Sequence, residues 1–377
     1  MKSIIKKGKK EKDWFRLKIY PHIGMQLKPK DRGWIEAYVK NEEKIATHAF
    51  YPFIHRELKV RRFRKEVCHD GTRSKLRKPT TKEREIYFSN HFDSNIFSYY
   101  SEILSDAYEK QLNKLQISDC VTAYRKIKLN PNDEKSRNKC NIDFANDVFQ
   151  FIKSKKQQDL VAITFDITKF FDNLNHSHLK KCWMKVIGSE AHLPKNHYNV
   201  FRNITKFSYV EEDDLFNLFK NKILVERKLR LIKKVKVDKV KYLRNKRAIA
   251  YCTKENIKLI RESGLIKNNK YIYDSYGKKV IRKKGIPQGS AISATLANIY
   301  MLDFDKRTND FLESIGGLYR RYSDDMVAVC PIDFENEVID HFMTSIKGCK
   351  LEIQESKTQE FYFRFDESTQ RHICYEK

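Results

Sequence analysis

Apolar and polar positions alternate along the chain in patterns that predict a mixed α+β fold. Hydrophobic side chains recur every three or four residues over 93–115, which predicts a long helix. Residues 160–167 (LVAITFDI) form an apolar run with an acid near its end, and residues 318–330 (LYRRYSDDMVAVC) form two apolar stretches around a polar bend. These patterns predict a buried strand and a hairpin, and the aromatic and β-branched residues of 34–39 and 48–53 predict two further strands.

Polar residues and glycines mark the ends of other elements. Ser177 is placed to cap a helix that Gly188 would end, and Asp333 is placed to cap another helix. Residues 285–300 (GIPQGSAISATLANIY) predict a tight loop running into a helix, and residues 361–375 predict a last hairpin. Glycine and proline are sparse, with 12 and 8 residues, so no flexible linker is expected. We therefore expect one compact unit, with two or three subdomains around a main sheet.

The charge of the chain indicates a polyanionic partner. Lysine and arginine number 76 against 49 acidic residues, which gives a formal net charge of +27. The hydrophobic content of 40% is enough for a core, which excludes a disordered basic tail. Because no apolar run is long enough to span a membrane, no membrane partner is expected. Eight cysteines without metal-ligand spacing suit free thiols in a reducing cytoplasm.

Three basic segments are candidates for contact with phosphates. Residues 56–65 and 73–84 hold six lysines or arginines each, and residues 220–247 hold 13 against two acids. A solvated helix face or hairpin would also explain the last segment, but its charge density favours a phosphate-contacting surface. The nucleic-acid-binding candidates in it are Lys233, Lys234, Lys236, Arg244, Lys246 and Arg247.

Three aspartates have neighbours that are unusual for surface carboxylates. Asp166 ends an apolar strand, and Asp324 and Asp325 lie at the tip of an apolar hairpin. A carboxylate beside a core strand costs several kcal/mol unless a cation or hydrogen-bond donors compensate. Two divalent ions would compensate and would clamp an in-line phosphoryl transfer. Ordinary turn chemistry is the alternative for the Asp-Asp pair taken alone.

The motifs that hold these aspartates resemble those of reverse transcriptases. Residues 165–174 (FDITKFFDNL) resemble motif A, residues 285–300 resemble motif B, and residues 322–325 (YSDD) resemble motif C, in the family's order. Residues 84–100 and 121–127 resemble the fingers of bacterial unknown-group and abortive-infection reverse transcriptases, several of which act in anti-phage defence. The resemblance implies an α+β, right-hand palm-and-fingers fold with an RRM-like antiparallel palm sheet.

The resemblance also implies a division of the chain and a set of ligands. Residues 1–157 would form an N-terminal extension and fingers, and residues 158–377 a palm with motif D over about 351–360. About 110 residues separate motifs A and B, which predicts a basic insertion over about 190–283 that grips RNA or a partner. The implied ligands are two Mg²⁺ ions, or Mn²⁺, with deoxynucleotides, an RNA template or noncoding RNA, and a DNA product.

Roles for individual residues follow from the resemblance. Asp166, Asp324 and Asp325 would hold the metals, and Lys357 would protonate the leaving pyrophosphate. The aromatic ring of Phe171 would exclude a 2′-hydroxyl and so select deoxynucleotides, unless it only fills the core beside Phe170. The remaining substrate contacts would come from Arg125 and Lys126 at the triphosphate and from Gln288 and Gly289 along the nucleotide and template.

Departures from the family pattern narrow the expected function. The retron-type Asn-Ala-x-x-His motif, the Ser-Gln of the diversity-generating type and a zinc-binding endonuclease region are all missing from the sequence. The thumb is expected to be short or absent: either it is missing from this chain, or a partner protein or a second copy of the chain would hold the duplex. The leading hypothesis is an RNA-directed DNA polymerase in antiviral defence. Template-independent or protein-primed synthesis by the same site, and an RNA-binding scaffold with little activity, remain alternatives.

Overall fold

The computed structural model describes residues 13–67, 73–133, 135–227 and 231–376. The helices in these ranges are α1 (Arg32–Val39), α2 (Glu42–Thr47), α3 (His91–Lys114), α4 (Asn141–Ser154), α5 (Phe170–Asn173), α6 (His176–Ile187), α7 (Lys195–Thr205), α8 (Glu212–Phe219), α9 (Ile257–Glu262), α10 (Ser293–Tyr300), α11 (Leu302–Ser314) and α12 (Glu335–Gly348). None of them combines the length and the apolar character that crossing a membrane requires.

The strands in the same ranges are β1 (His22–Ile23), β2 (Phe53–Val67), β3 (Arg73–Phe88), β4 (Leu160–Asp166), β5 (Ser208–Glu211), β6 (Ile223–Glu226), β7 (Ile232–Val235), β8 (Ala248–Cys252), β9 (Lys267–Asn268), β10 (Tyr271–Tyr273), β11 (Lys279–Ile281), β12 (Leu318–Tyr322), β13 (Asp325–Pro331), β14 (Gln359–Asp366) and β15 (Arg371–Glu376). The mixture of separate sheets and helices confirms the predicted α+β class. The seven cysteines of the described ranges are free thiols, and Cys68 lies outside these ranges.

The chain divides into two compact units, which do not follow the predicted boundary after residue 157. Unit 1 comprises residues 1–100, 194–282 and 287–291, and unit 2 comprises residues 101–193, 283–286 and 292–377. Residues of the expected insertion belong to unit 1 because β5 continues the sheet of β2 and α7 packs on α2. A sequence pattern shows where elements begin and end, but not which distant strand each one pairs with.

Unit 2 is built on a five-stranded antiparallel sheet with the order β12-β13-β4-β14-β15. One core cluster joins α4 to this sheet and contains Ile152, Leu160, Ala162, Val329 and Phe363. In a second contact, the rings of Phe165 on β4 and Phe342 on α12 stack with centroids 4.2 Å apart. Burial of β4 on both sides explains its nearly continuous apolar run and fixes where its last residue, Asp166, emerges.

Unit 1 contains two four-stranded sheets, ordered β1-β8-β6-β7 and β3-β2-β5-β9, and the two-stranded pair β10-β11. Its core cluster draws on both larger sheets and on α8, with Ile23, Ile54, Val210, Leu215 and Tyr251 fully buried. Strands β6 and β7 fall within the basic segment 220–247, and Ile223 and Val225 of β6, with the partly buried Val235 of β7, anchor that segment to the core.

Several element predictions are confirmed and others are wrong. The helix over 93–115, the strand over 160–167 and the hairpins over 318–330 and 361–375 are present. Residues 34–39 lie in helix α1 instead of a strand, and β2 begins only at Phe53. The cap of α6 is Asn175, whose side chain accepts a hydrogen bond from the His178 amide, and a turn over Ile332–Phe334 precedes α12.

Candidate active site

Three strands of unit 2 bring the predicted aspartates to one edge of the sheet. Strand β4 ends at Asp166, strand β13 begins at Asp325, and these two residues are direct partners in the antiparallel register. Asp324 lies in the two-residue turn between β12 and β13, and its carbonyl accepts a hydrogen bond from the Ile167 amide at 3.2 Å. Residues opposed in this way have Cβ atoms roughly 5 Å apart. The register therefore makes Asp166 and Asp325 neighbours and puts the backbone of Asp324 next to Ile167, at the same edge of the sheet.

The crowding of these carboxylates suits a bound cation. Like charges directly opposed across two strands destabilise the sheet, so the Asp166–Asp325 pair favours a positive ion beside it. Asp166 and Asp324 are half-buried and Asp325 is exposed, which leaves the group open to solvent. Oxygen ligands of this kind suit Mg²⁺ or Mn²⁺. Within the described ranges no ready-made group of three or more acidic, histidine or cysteine side chains surrounds one point.

Lys357 lies beside these aspartates. Its Nζ donates to Asp166 Oδ1 at 3.0 Å, and its side chain is 52% exposed. The short turn that carries it, Glu355–Lys357, is held to β4 because the Gln354 amide donates to the Asp166 carbonyl at 2.8 Å. The lysine of predicted motif D and the aspartate of predicted motif A are therefore direct neighbours. The ammonium group is free enough to turn away from Asp166.

A buried ion pair that sequence reasoning missed supports the Asp324 turn from behind. The Arg321 guanidinium donates to both carboxylate oxygens of Asp305, each at 2.7 Å, and both side chains are fully buried. Arg321 Nη1 also donates to the Ser323 carbonyl at 3.1 Å and to Asn298 Oδ1 at 3.3 Å. Burial alone would lower the pKa of Arg321, but the Asp305 carboxylate outweighs it and raises that pKa. Arg321 is thus a permanent cation that ties the turn to α10 and α11.

The residue between Tyr322 and Asp324 has an unusual backbone. Ser323 is buried and has a φ of 63°, in the left-handed region that a side chain rarely adopts. Its hydroxyl forms a hydrogen bond with the hydroxyl of Tyr124 at 3.1 Å. The carbonyl contact from Arg321 and the hydroxyl contact from Tyr124 together hold this conformation.

The segment after Asp166 is fixed by the start of predicted motif B. The amides of Ile286 and Gly285 donate to the carbonyls of Phe171 and Leu174, at 3.0 and 2.9 Å. The Phe171 ring is half-buried and lies 5.6 Å from the Phe170 ring, centroid to centroid. Residues 283–286 therefore pair with the end of motif A inside unit 2 and set the position of Phe171.

Arg125 and Lys126 have different surroundings. The Arg125 guanidinium donates to both Glu109 oxygens, at 2.8 and 2.7 Å, and to the Ser118 and Val121 carbonyls, and its side chain is only 5% exposed. These contacts use the donors of Arg125 for the fold of unit 2 and do not favour the triphosphate contact predicted for it. Lys126 is exposed.

Gln288 and Gly289 belong to unit 1, where they lie against β3. The Gln288 carbonyl accepts from the Tyr87 amide at 2.7 Å. Gly289 has a φ of +102°, and a Cβ there would lie 3.0 Å from both Ile86 Cγ2 and the Tyr87 carbonyl oxygen. Glycine is needed at this position because the backbone of β3 comes too close for a side chain and because the φ is positive.

The six predicted nucleic-acid-binding residues of the basic segment are all exposed in unit 1. Strand β7 carries Lys233 and Lys234, and the turns between β7 and β8 carry Lys236, Arg244, Lys246 and Arg247. Lys236 forms an ion pair with Asp238 at 3.7 Å. Residues 228–230 of this segment lie outside the described ranges.

Comparison with known proteins gives a family match and a distant structural likeness. None of the curated proteins matches the chain. Among solved structures it is similar to the apo telomerase of Candida tropicalis truncated from its C-terminal domain, with 13% identity, a TM-score of 0.45, and coverage of 88% of this chain and 54% of that chain. The telomerase of Candida albicans in complex with a TWJ fragment of telomeric RNA gives 13% identity, a TM-score of 0.42, and coverage of 91% and 50%. This chain therefore spans about half the length of these telomerases, and a likeness this distant carries no conclusion about activity.

The sequence itself matches a family. Residues 214–375 match the profile described as "Reverse transcriptase (RNA-dependent DNA polymerase)". The matched range includes Asp324, Asp325 and Lys357 and begins after Asp166, which the register of β4 and β13 places beside Asp325. Residues 214–375, less than half of the chain, are thus similar to reverse transcriptases, and over that range the match supports the predicted enzyme class, an RNA-directed DNA polymerase.

Proposed function

We propose that the chain extends a DNA strand on an RNA template by transfer of deoxynucleotides. The observation that carries this proposal is the register pairing of Asp166 with Asp325, with Asp324 in the adjoining turn and Lys357 Nζ 3.0 Å from Asp166. In the reaction, a primer 3′-hydroxyl attacks the α-phosphorus of a deoxynucleotide, a phosphodiester bond forms, and pyrophosphate leaves. The proposed role of Lys357 is to give a proton to that leaving group.

Asp166, Asp324 and Asp325 are the residues proposed to hold divalent metal, two Mg²⁺ ions or Mn²⁺ in their place. Such ions, when bound, supply charge that activates the 3′-hydroxyl and neutralises the triphosphate. The chain's own contribution is to keep its three carboxylates together: the strand register fixes Asp166 and Asp325, and the contact from Arg321 to the Ser323 carbonyl supports the turn of Asp324.

Substrate selection is proposed to involve residues on either side of the aspartates in sequence. The half-buried ring of Phe171, whose backbone is held by Ile286, is the proposed barrier to a 2′-hydroxyl. Lys126 is exposed and is the proposed partner of the triphosphate, while Gln288 and Gly289 are proposed to line the nucleotide and template.

RNA is the proposed template, and a noncoding RNA and an antiviral role are proposed with it. The resemblance of residues 84–100 and 121–127 to the fingers of defence-associated reverse transcriptases supports this role. The exposed cations of residues 233–247 are the proposed contacts with RNA phosphates. A cytoplasmic location is proposed with this role.

Incorporation of labelled deoxynucleotides by the purified chain on a primed RNA template tests the proposal. The double variant Asp324→Ala/Asp325→Ala should reduce incorporation to background, because it removes two of the three proposed metal ligands. RNA binding should remain, because Asp324 is half-buried and Asp325 is exposed, so that both contribute little to the core and the fold should be kept.

The matched control is Asp333→Ala/Asp340→Ala, which removes two other unit 2 aspartates while leaving the three at the strand ends in place. Equal incorporation by the Asp324→Ala/Asp325→Ala variant and the unsubstituted chain would overturn the proposal. RNA binding without incorporation by the unsubstituted chain would favour the scaffold alternative.

A further inference from the structure

A short hairpin of unit 1, formed by β10 and β11, displays aromatic rings without a core beneath them. Its register pairs Tyr271 with Ile281, Ile272 with Val280 and Tyr273 with Lys279. Within the described ranges no third strand pairs with it. A two-stranded hairpin on its own is only marginally stable in water.

The turn of this hairpin is ordered and lifts one tyrosine into solvent. Asp274 Oδ1 accepts from the Tyr276 and Lys278 amides, at 3.0 and 2.9 Å, and Gly277 adopts a φ of 72°. Tyr276 is 93% exposed and Tyr273 is 73% exposed. Alternation along a strand places Tyr271 and Tyr273 on one face, together with their partners Ile281 and Lys279.

Cations are interleaved with these rings. Lys270 Nζ and Lys279 Nζ lie over the Tyr271 ring, 4.9 and 4.7 Å from its centroid. The hydrogen bond from Lys270, followed by the charges of Lys270 and Lys279, lowers the pKa of Tyr271. Over residues 267–282 five lysines or arginines stand against one acid, Asp274, whose side chain is engaged in the turn. Two ammonium groups gathered over one ring favour an anion beside them.

We propose that the hairpin over residues 270–282, here called the Tyr–Lys hairpin, is a stacking platform for single-stranded nucleic acid. Tyr273 and Tyr276 would each stack on a base, and Lys270 and Lys279 would contact phosphates. Every base has a face for stacking, so the platform accepts any sequence, while base pairs in a duplex hide those faces. This binding goes beyond the proposed polymerase activity because it needs neither metal nor catalysis.

The combination of lysines and exposed rings favours this occupant over a protein. An acidic peptide would satisfy the lysines but would leave Tyr273 and Tyr276 exposed, and an apolar surface would bury the rings against unpaired ammonium groups. A polynucleotide supplies both phosphate anions and flat bases, which complement the lysines and the tyrosine rings of the hairpin.

Binding measured by fluorescence anisotropy tests the proposal, without deoxynucleotides and in the Asp324→Ala/Asp325→Ala background. Failure of the polymerase assay and failure of this assay are then distinguishable. The probes are a labelled oligouridylate, an oligothymidylate and a blunt DNA duplex of the same length. Tyr273→Ala/Tyr276→Ala should weaken binding of the single strands on the order of tenfold or more, and leave duplex binding unchanged.

Two further variants separate ring from charge. Tyr273→Phe/Tyr276→Phe keeps the rings and should bind single strands like the unsubstituted chain. Lys270→Gln/Lys279→Gln should flatten the dependence of log affinity on log salt by roughly 0.7 for every phosphate that the variant no longer neutralises. The matched control, Lys258→Gln, removes an exposed lysine of unit 1 that pairs with Glu262 and should leave the slope unchanged.

Three outcomes would overturn the platform. The tyrosine-to-alanine variant could bind single strands as before, it could lose duplex binding to the same extent, or the phenylalanine variant could fail as badly as the alanine variant. A greater loss on oligouridylate than on oligothymidylate would support RNA as the occupant, and the reverse would support a DNA product. Because both tyrosines are mostly exposed, thermal unfolding of all variants should coincide with that of the parent chain.

Discussion

At the scale of single residues, the buried ion pair of Arg321 and Asp305 is hard to explain by stability alone, because burying two charges carries a desolvation cost. Both side chains are fully buried, and replacing a buried ion pair with apolar residues of similar volume is often neutral or stabilising. What an apolar pair could not supply is the hydrogen bond from Arg321 Nη1 to the Ser323 carbonyl, next to Asp324. We therefore interpret Arg321 as a positioning residue for the turn, rather than as a contributor to stability.

A double-mutant experiment separates these two roles. Arg321→Met leaves the Asp305 carboxylate buried without its partner and should lower the free energy of unfolding by about 3–5 kcal/mol. Adding Asp305→Leu removes the orphaned charge and should restore part of that stability, measured by denaturant unfolding. Deoxynucleotide incorporation should stay low in the double variant, because the Ser323 carbonyl still lacks its donor. Recovery of incorporation together with stability would mean that the pair is only structural.

At the scale of secondary-structure elements, the turn between α11 and β12 sets the position of the strand that leads to the aspartates. Gly316 has a φ of 73°, and the Gly317 amide donates to the Leu312 carbonyl at 2.7 Å, which ends the helix. A Cβ at Gly317 would lie 2.6 Å from the Val329 carbonyl oxygen of β13 and 3.1 Å from the Leu312 carbonyl oxygen. Helix end and strand pair thus meet at a point that admits no side chain.

Gly317→Ala should therefore lower the free energy of unfolding by about 1–3 kcal/mol, since the obstructing atoms belong to the backbone. Gly348→Ala is the matched control: no atom lies within 4 Å of its added Cβ, and the residue ends helix α12. The Gly348→Ala substitution should be neutral or stabilising by up to about 1 kcal/mol, because alanine has a higher helix propensity than glycine. Denaturant unfolding of the two variants provides the comparison. Equal stability of both would show that β12 shifts easily at this turn.

Elements also show how far the sequence could predict the structure. The strand β4 and the bend after β12 were predictable from the sequence. In each, an apolar stretch ends in carboxylates, which is an unusual combination for a strand at the surface. Helix α1 was not, because tryptophan, isoleucine, tyrosine and valine suggested a strand, while burial of Ile35 and Val39 and the Glu36–Lys40 ion pair at 2.6 Å favour a helix. Packing of one helix face on the core outweighed local propensity.

Partnerships between distant residues were beyond the sequence patterns. Asp305 and Arg321 are 16 residues apart on a helix and a strand, and neither neighbourhood marks a pair. Arg125 was predicted to contact the substrate because of the motif it belongs to. Its ion pair with Glu109 of the preceding helix was not predictable, since no sequence pattern marks that contact. The Tyr–Lys hairpin was not predicted, because exposed and buried tyrosines look alike in a sequence until the pairing of their strands is known.

At the scale of the whole molecule, the net charge of +27 makes the folded state sensitive to acid. Protonating carboxylates at low pH raises a charge that is already strongly positive, and self-repulsion then destabilises the compact state. A buried histidine adds to this effect in unit 1. His22 is fully buried, its Nδ1 accepts from the Ile23 amide at 2.8 Å, and its Nε2 lies 3.2 Å from the Phe88 carbonyl. Both ring nitrogens are therefore engaged only in the neutral tautomer that carries its proton on Nε2.

Burial, and next the neighbouring His91, lowers the pKa of His22 to about 3, so the folded chain keeps this ring neutral where the unfolded chain binds a proton. The unfolded state then holds more protons below about pH 6.5, and stability falls as the pH drops from there toward 3. The slope from this one residue should reach about 1.4 kcal/mol per pH unit within that window. His22→Asn keeps an acceptor for the Ile23 amide but cannot titrate, so its unfolding free energy should fall less steeply between pH 6.5 and 4.5. The exposed His192→Gln variant controls for the loss of a histidine, and parallel slopes for His22→Asn and the parent chain would contradict the assignment.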